Sequence, residues 1–111
     1  PVNIHVLEEL VGDDPATIED MLQDYQASLE KAASELRQAY QSGQYPTVGS
    51  IAHKLKSSSR SVGALELGEL CADMEQAGKN NDTQALALLL PRFDVELAKV
   101  ETYLTTRKMK Q

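Results

Sequence analysis

The 111-residue chain has no tryptophan, one phenylalanine, four tyrosines and a single cysteine. One cysteine cannot form an internal disulfide, which excludes the small stapled folds of secreted proteins and makes a reducing cytoplasm the natural setting. Long apolar runs are missing as well. No stretch approaches the ~20 residues of a membrane span, and no signal-peptide pattern opens the chain. Positive charge is scarce: 11 Lys and Arg against 17 Asp and Glu leave a net charge of -6. That argues against nucleic acid, whose backbone demands clustered basic residues. Strict period-two alternation, the mark of a half-buried strand, occurs nowhere, and no internal repeat or low-complexity tract is visible. An initiator Met is also lacking, which suggests a piece of a longer polypeptide.

What remains is helical periodicity, punctuated by glycine and proline. A short segment, about Asn3 to Val11, carries Ile4, Leu7, Leu10 and Val11 on one face and stops at Gly12. Asp14-Pro15 then reads as an N-cap followed by proline at the first helical position, where its missing N–H costs nothing. The helix it opens runs to about Ser42, with Ile18, Leu22, Tyr25, Leu29, Ala32, Leu36 and Tyr40 at three- and four-residue spacing, and Gly43 is a good stop. Pro46 opens a third helix that ends by Gly63. A fourth, about Ala64 to Ala77, buries Leu67, Leu70, Cys71 and Met74, with Gly78 closing it. The last, Thr83 to about Arg107, has Leu86, Leu89, Leu90, Phe93, Leu97, Val100 and Leu104 on its core face. Pro91 falls inside it and predicts a kink near Ala87 to Pro91.

Four long amphipathic helices joined by short loops imply an all-α, antiparallel up-down-up-down four-helix bundle with a short extra N-terminal helix. One domain over residues 1–111 is expected, with a core of about 14–107 and a capping helix in 1–12. The second and fifth helices, being longest, should project beyond the rest.

The third helix holds the chemistry. Advancing ~100° per residue from Val48, the residues Ile51, Ala52, Leu55, Ser59 and Val62 fall within roughly 60° of it, an apolar stripe wide enough for a buried face. His53 lies roughly 140° away, facing water. Around it stand small residues (Gly49, Ser50, Ser57) and cations (Lys54, Lys56, Arg60). No Asp or Glu occurs between Glu35 and Glu66. An accessible imidazole in a surface that is locally free of acid is an address for an anionic group. Ser59 instead fills the core edge, Cys71 is a buried thiol that behaves as a small hydrophobe, and Gly68 marks a close helix approach.

Ala52-His53-Lys54-Leu55-Lys56, the small residues after it, then Ser61-Val62-Gly63-Ala64 with Leu70 and Cys71 downstream, resemble the signature of histidine-containing phosphotransfer (HPt) domains. The pattern covers residues 48 to 75 closely. The resemblance implies a phosphorelay module, without an ATP site, whose His53 accepts a phosphoryl group from the phospho-aspartate of a response-regulator receiver domain and passes it to another receiver. It implies Lys56, with Lys54, as offsets for phosphoryl charge, and Gly49, Ser50, Ser57 and Arg60 as the partner-facing rim. It also implies Mg²⁺ brought by the receiver and none bound here. A monomer is expected, since the histidine face must stay open, either free-standing or as the cytoplasmic tail of a membrane-bound hybrid sensor kinase that is a partner in cis. The family usually has glycine four residues after the histidine, where this chain has Ser57.

Competing classes fare worse. A di-iron bundle needs Glu-x-x-His pairs, but residues 50 and 2 are Ser and Val. The dimerisation helix of histidine kinases has an acid directly after its histidine by family pattern, whereas Lys54 follows His53. A non-catalytic helical adaptor or dimerisation domain in signalling is the remaining alternative.

Overall fold

Side-chain caps at Asn3, Asp14 and Asp82 open the first, second and last helices. The computed structural model describes residues 1–109 and gives five helices: α1 (Ile4–Val11), α2 (Pro15–Gln41), α3 (Tyr45–Ser61), α4 (Leu65–Lys79) and α5 (Thr83–Met109). Among the described residues there is no strand. Asp14 accepts from the Ala16 amide and from the Thr17 hydroxyl, and Pro15 occupies the first turn. This satisfies amides that a helix start otherwise leaves orphaned. Gly43, with φ 73°, ends α2 as the Gln44 amide folds back onto the Ala39 carbonyl. Asp82 caps α5 through the Ala85 amide, and that helix continues through Pro91.

One departure concerns the end of α4. Gly78 does not close this helix, which runs on to Lys79; the left-handed residue is Asn81, at φ 52°. Asparagine tolerates that conformation better than other residues with a Cβ. Gly78 is spent on packing. A Cβ there would stand 2.6 Å from the Gly49 amide nitrogen and 2.7 Å from the Tyr45 carbonyl oxygen, so α3 and α4 meet backbone against backbone.

The core forms one cluster that draws on every helix, with Leu7, Leu29, Leu36, Val48, Leu67, Met74, Leu86, Phe93 and Val100 fully enclosed. Each such side chain contributes roughly 1.5–3 kcal/mol over its exposed form. On α2, Ala33 and Ala39 occupy the buried stripe, while Ala32 and Tyr40 pack at its edge. Leu10, expected on the apolar face of α1, is largely exposed because that short helix buries only Leu7 fully. The most extensive pairing is α3 on α4; α2 lies on α3 and α5 on α4, whereas α2 and α5 touch sparsely. At 27 residues each, against 17 and 15 for α3 and α4, α2 and α5 have the reach to run past the shorter pair. The Arg107 Nε to Glu19 Oε1 bond of 2.7 Å ties the end of α5 to the beginning of α2.

α3 is pinned at its own end by the N-terminal segment. The Asn3 amide donates to the Gly63 carbonyl at 2.8 Å, and Gly63, at φ 85°, lies so close to the Asn3 backbone that no side chain fits.

Candidate functional site

α3 turns Val48, Ala52, Leu55, Ser59 and Val62 into the bundle, with Ile51 half-buried, and thereby holds His53 outward. The inward register is fixed by packing and by a buried hydrogen bond between the Tyr25 hydroxyl and Ser59 Oγ, at 2.8 Å. The His53 side chain is 58% exposed. It stands on an open helix face, whereas the larger hollows in the surface lie elsewhere, one lined by Ala98, Thr102, Tyr103 and Thr106, another by Asp73, Gln76, Leu88 and Arg92.

The surroundings of the ring are not free of acid, and that expectation is corrected. Glu75 of α4 projects beneath it. Its Oε2 lies 2.9 Å from His53 Nδ1 and 3.0 Å from Lys79 Nζ, and its Oε1 lies 2.7 Å from Lys56 Nζ. The Glu75 side chain is only 5% exposed. A carboxylate so enclosed is tolerable only when its lone pairs are engaged. Here they are. The hydrogen bond from Lys56, then that from Lys79, hold its carboxyl down at about 2 against burial, and the His53 bond works in the same direction.

An ionised carboxylate can only accept. Nδ1 of His53 therefore carries the proton, and the neutral ring presents a bare lone pair at Nε2. The arrangement fixes the tautomer, orients the imidazole and leaves one nucleophilic nitrogen directed away from the carboxylate.

Other site candidates divide into those near His53 and those turned aside. Lys56 reaches the cluster, 22% exposed, through Glu75. Lys54, Ser50 and Ser57 are exposed on α3. Gly49 is corrected. It is buried, and a Cβ on it would meet the Glu75 carbonyl at 3.1 Å and the Lys79 amide at 3.2 Å, so its smallness serves the approach of α4 and not an open rim. Arg60 lies over Gly68 and reaches Glu69 at 3.4 Å, outside the His53 cluster. Gly68 thus makes room first for the Arg60 side chain, with the Lys56 carbonyl of α3 next, 3.6 Å from where a Cβ would stand.

Sequence reasoning missed Glu75 and Lys79. The available signal is the seam Gly68, Cys71, Glu75, Gly78, at spacings of three and four, which places an acid among small buried residues. Lys79 follows at the i+4 position favourable for an ion pair.

The Hpt domain family model matches residues 20–103. The chain belongs to the Hpt domain family. Among solved structures, histidine-containing phosphotransfer protein B (HptB) from Pseudomonas aeruginosa PAO1 superimposes with a TM-score of 0.89 at 21% identity, over 99% of this chain and 96% of that one. The comparison with curated proteins found no match. As an Hpt domain the chain is a phosphotransfer intermediate of phosphorelay signalling rather than a kinase, and Hpt domains work with response-regulator receiver domains. Cys71 of this Hpt domain is enclosed, and burial pushes its thiol up to about 12, which leaves it inert. No helix of the described residues is long and apolar enough to cross a membrane.

Proposed function

We propose that Nε2 of His53 is the phosphoryl acceptor and donor of this Hpt domain. The observation that carries the assignment is the bond between His53 Nδ1 and the ionised, enclosed Glu75, on an otherwise exposed ring. A receiver docks over α3 and aligns its phospho-aspartate in line with Nε2. The N–P bond forms from the Nε2 lone pair as the P–O bond breaks, and that bonding pair leaves with the aspartate carboxylate. Nδ1 keeps its proton, so the phosphorylated ring is a cation, and Glu75 is its counter-ion. Return transfer to a second receiver runs the same step backwards.

Phosphoryl transfer passes through a loose transition state in which positioning and charge neutralisation supply most of the catalysis. Lys56, one turn beyond His53, is the group of this chain placed to offset charge on the phosphoryl oxygens, with Lys54 further out. Exposed Ser50 and Ser57 keep the approach low. Mg²⁺ supplies further neutralisation of the transferring group when the receiver is bound. It belongs with the receiver, because Glu75 is already flanked by two ammonium groups, which repel a metal ion. The domain acts as a monomer in the cytoplasm, free-standing or served in cis by a sensor kinase, so that α3 stays uncovered.

Incubation with a phosphorylated receiver and Mg²⁺ tests the assignment. An acid-labile, alkali-stable phosphoryl group is expected on the wild-type chain and none on His53→Gln, with helicity unchanged. Label on Ser57 to Ser59 would overturn it in favour of a different chemistry, and a wild-type chain that takes none would favour a non-catalytic adaptor.

A further inference from the structure

Orienting His53 needs one carboxylate oxygen and no lysine, yet Glu75 holds two. Lys56 Nζ is on Oε1 at 2.7 Å, while Lys79 Nζ shares Oε2 with His53 Nδ1, at 3.0 Å. The two ammonium groups differ in origin and freedom. Lys56 rises from α3 three residues after His53 and is 22% exposed; Lys79 rises from α4 four residues after Glu75 and is 58% exposed.

Accepting a phosphoryl group at Nε2 changes the charge balance on the α3 side. The incoming oxygens are strongly anionic, and Lys56 is the ammonium one turn beyond His53 on the same helix. In the resting domain that ammonium is committed to Glu75. Withdrawing it alone would leave an enclosed carboxylate short of its strongest partner, a penalty set by desolvation. The geometry points to Lys79 as the reserve counter-ion of Glu75: sharing Oε2 with the ring cation, it takes over from Lys56 in neutralising the carboxylate while Lys56 turns to the phosphoryl group on His53. Lys79 is then a positioning residue that never touches phosphate, and its effect on transfer passes entirely through Glu75. This inference rests on the assignment of His53 as phosphoryl acceptor.

Phosphotransfer rates from a phosphorylated receiver with Mg²⁺, followed from sub-saturating to saturating receiver, test it on wild type, Lys79→Ala, Lys79→Arg, Glu75→Gln and Glu75→Gln/Lys79→Ala, the expected effects being on the saturated rate. Lys79→Ala should slow transfer by roughly three- to tenfold, the scale of a charge-assisted contact at a half-exposed position, and Lys79→Arg should restore it. In the Glu75→Gln background, with no charge left to neutralise, removing Lys79 should change nothing further. A wild-type rate in Lys79→Ala, an equal loss in both backgrounds, or a loss confined to the receiver concentration needed for half-saturation would each overturn the role of Lys79. Failure of the wild-type chain to take any label would instead strike at His53 itself.

Discussion

Gly49 and Gly78 stand against each other where α3 crosses α4, close enough that a Cβ on Gly78 would lie 2.6 Å from the Gly49 amide nitrogen. The chemistry of the site depends on that approach. His53 lies four residues beyond Gly49 on one helix, Glu75 three residues before Gly78 on the other, and the backbone contact brings the two side chains to 2.9 Å.

Gly78→Ala is therefore expected to force the helices apart. The obstructing atoms are backbone, which cannot swing away, and overpacking of this kind costs roughly 1–3 kcal/mol. Gly68→Ala is the matched control. The nearest atom there is Arg60 Cγ, at 2.9 Å, so that side chain must change its path, but the nearest backbone atom, the Lys56 carbonyl oxygen, stands at an ordinary 3.6 Å, and alanine gains up to about 1 kcal/mol of helix propensity. Urea denaturation of both variants checks the contrast; equal stability would mean that the crossing is looser than described.

Glu75→Gln removes the ionised acceptor beneath His53. Nitrogen-15 shifts of the imidazole should show Nδ1 protonated in the wild-type neutral ring and a mixture of tautomers in the variant.

The same variant has a pH signature of definite sign. Because the folded carboxyl titrates at about 2, below its ordinary 4.5, its stabilising contribution is complete above 4.5 and is lost as pH falls through 2. Wild type should exceed Glu75→Gln in melting temperature at neutral pH, and the gap should close on acidification toward about pH 2. A gap independent of pH would show that ionisation of Glu75 adds nothing to folding.

Tyr25 and Ser59 form the buried hydroxyl pair that helps set the inward register of α3. Burial pushes the phenol well above its ordinary range, although the Ser59 bond opposes this. Ser59→Ala and Tyr25→Phe should each cost roughly 1–3 kcal/mol by leaving one buried hydroxyl unpaired. The double variant should cost less than their sum. Strict additivity in denaturation experiments would mean that the pair is not coupled.

Much of this was legible beforehand, for physical reasons that differ by residue. Helix boundaries could be read from Asp14-Pro15 and Gly43 because capping is local. The outward placement of His53 followed from the apolar stripe at Val48, Ala52, Leu55 and Val62, since a helix wheel needs no knowledge of the rest of the fold. Gly78 misled because glycine serves two purposes, and only the crossing with α3 shows which one applies. Glu75 was hidden for a related reason. An acid-free stretch of sequence is not an acid-free surface once a second helix packs beside it, and the partner of His53 lies 22 residues away. Gly49 was assigned to an open rim by its smallness beside His53, whereas α4 covers it; Arg60 remains exposed and extends to Glu69 of α4.

The uneven pairing of the helices has a consequence for how the molecule breathes. α3 and α4 share the densest interface, while the two long helices α2 and α5 touch each other only sparsely, so transient opening begins at the distal ends of the two long helices and reaches the histidine helix last. Amide protons of α3 and α4 should exchange most slowly with solvent deuterium. A modified imidazole would thus ride on the stiffest part of the protein, undisturbed while the far end frays and re-forms.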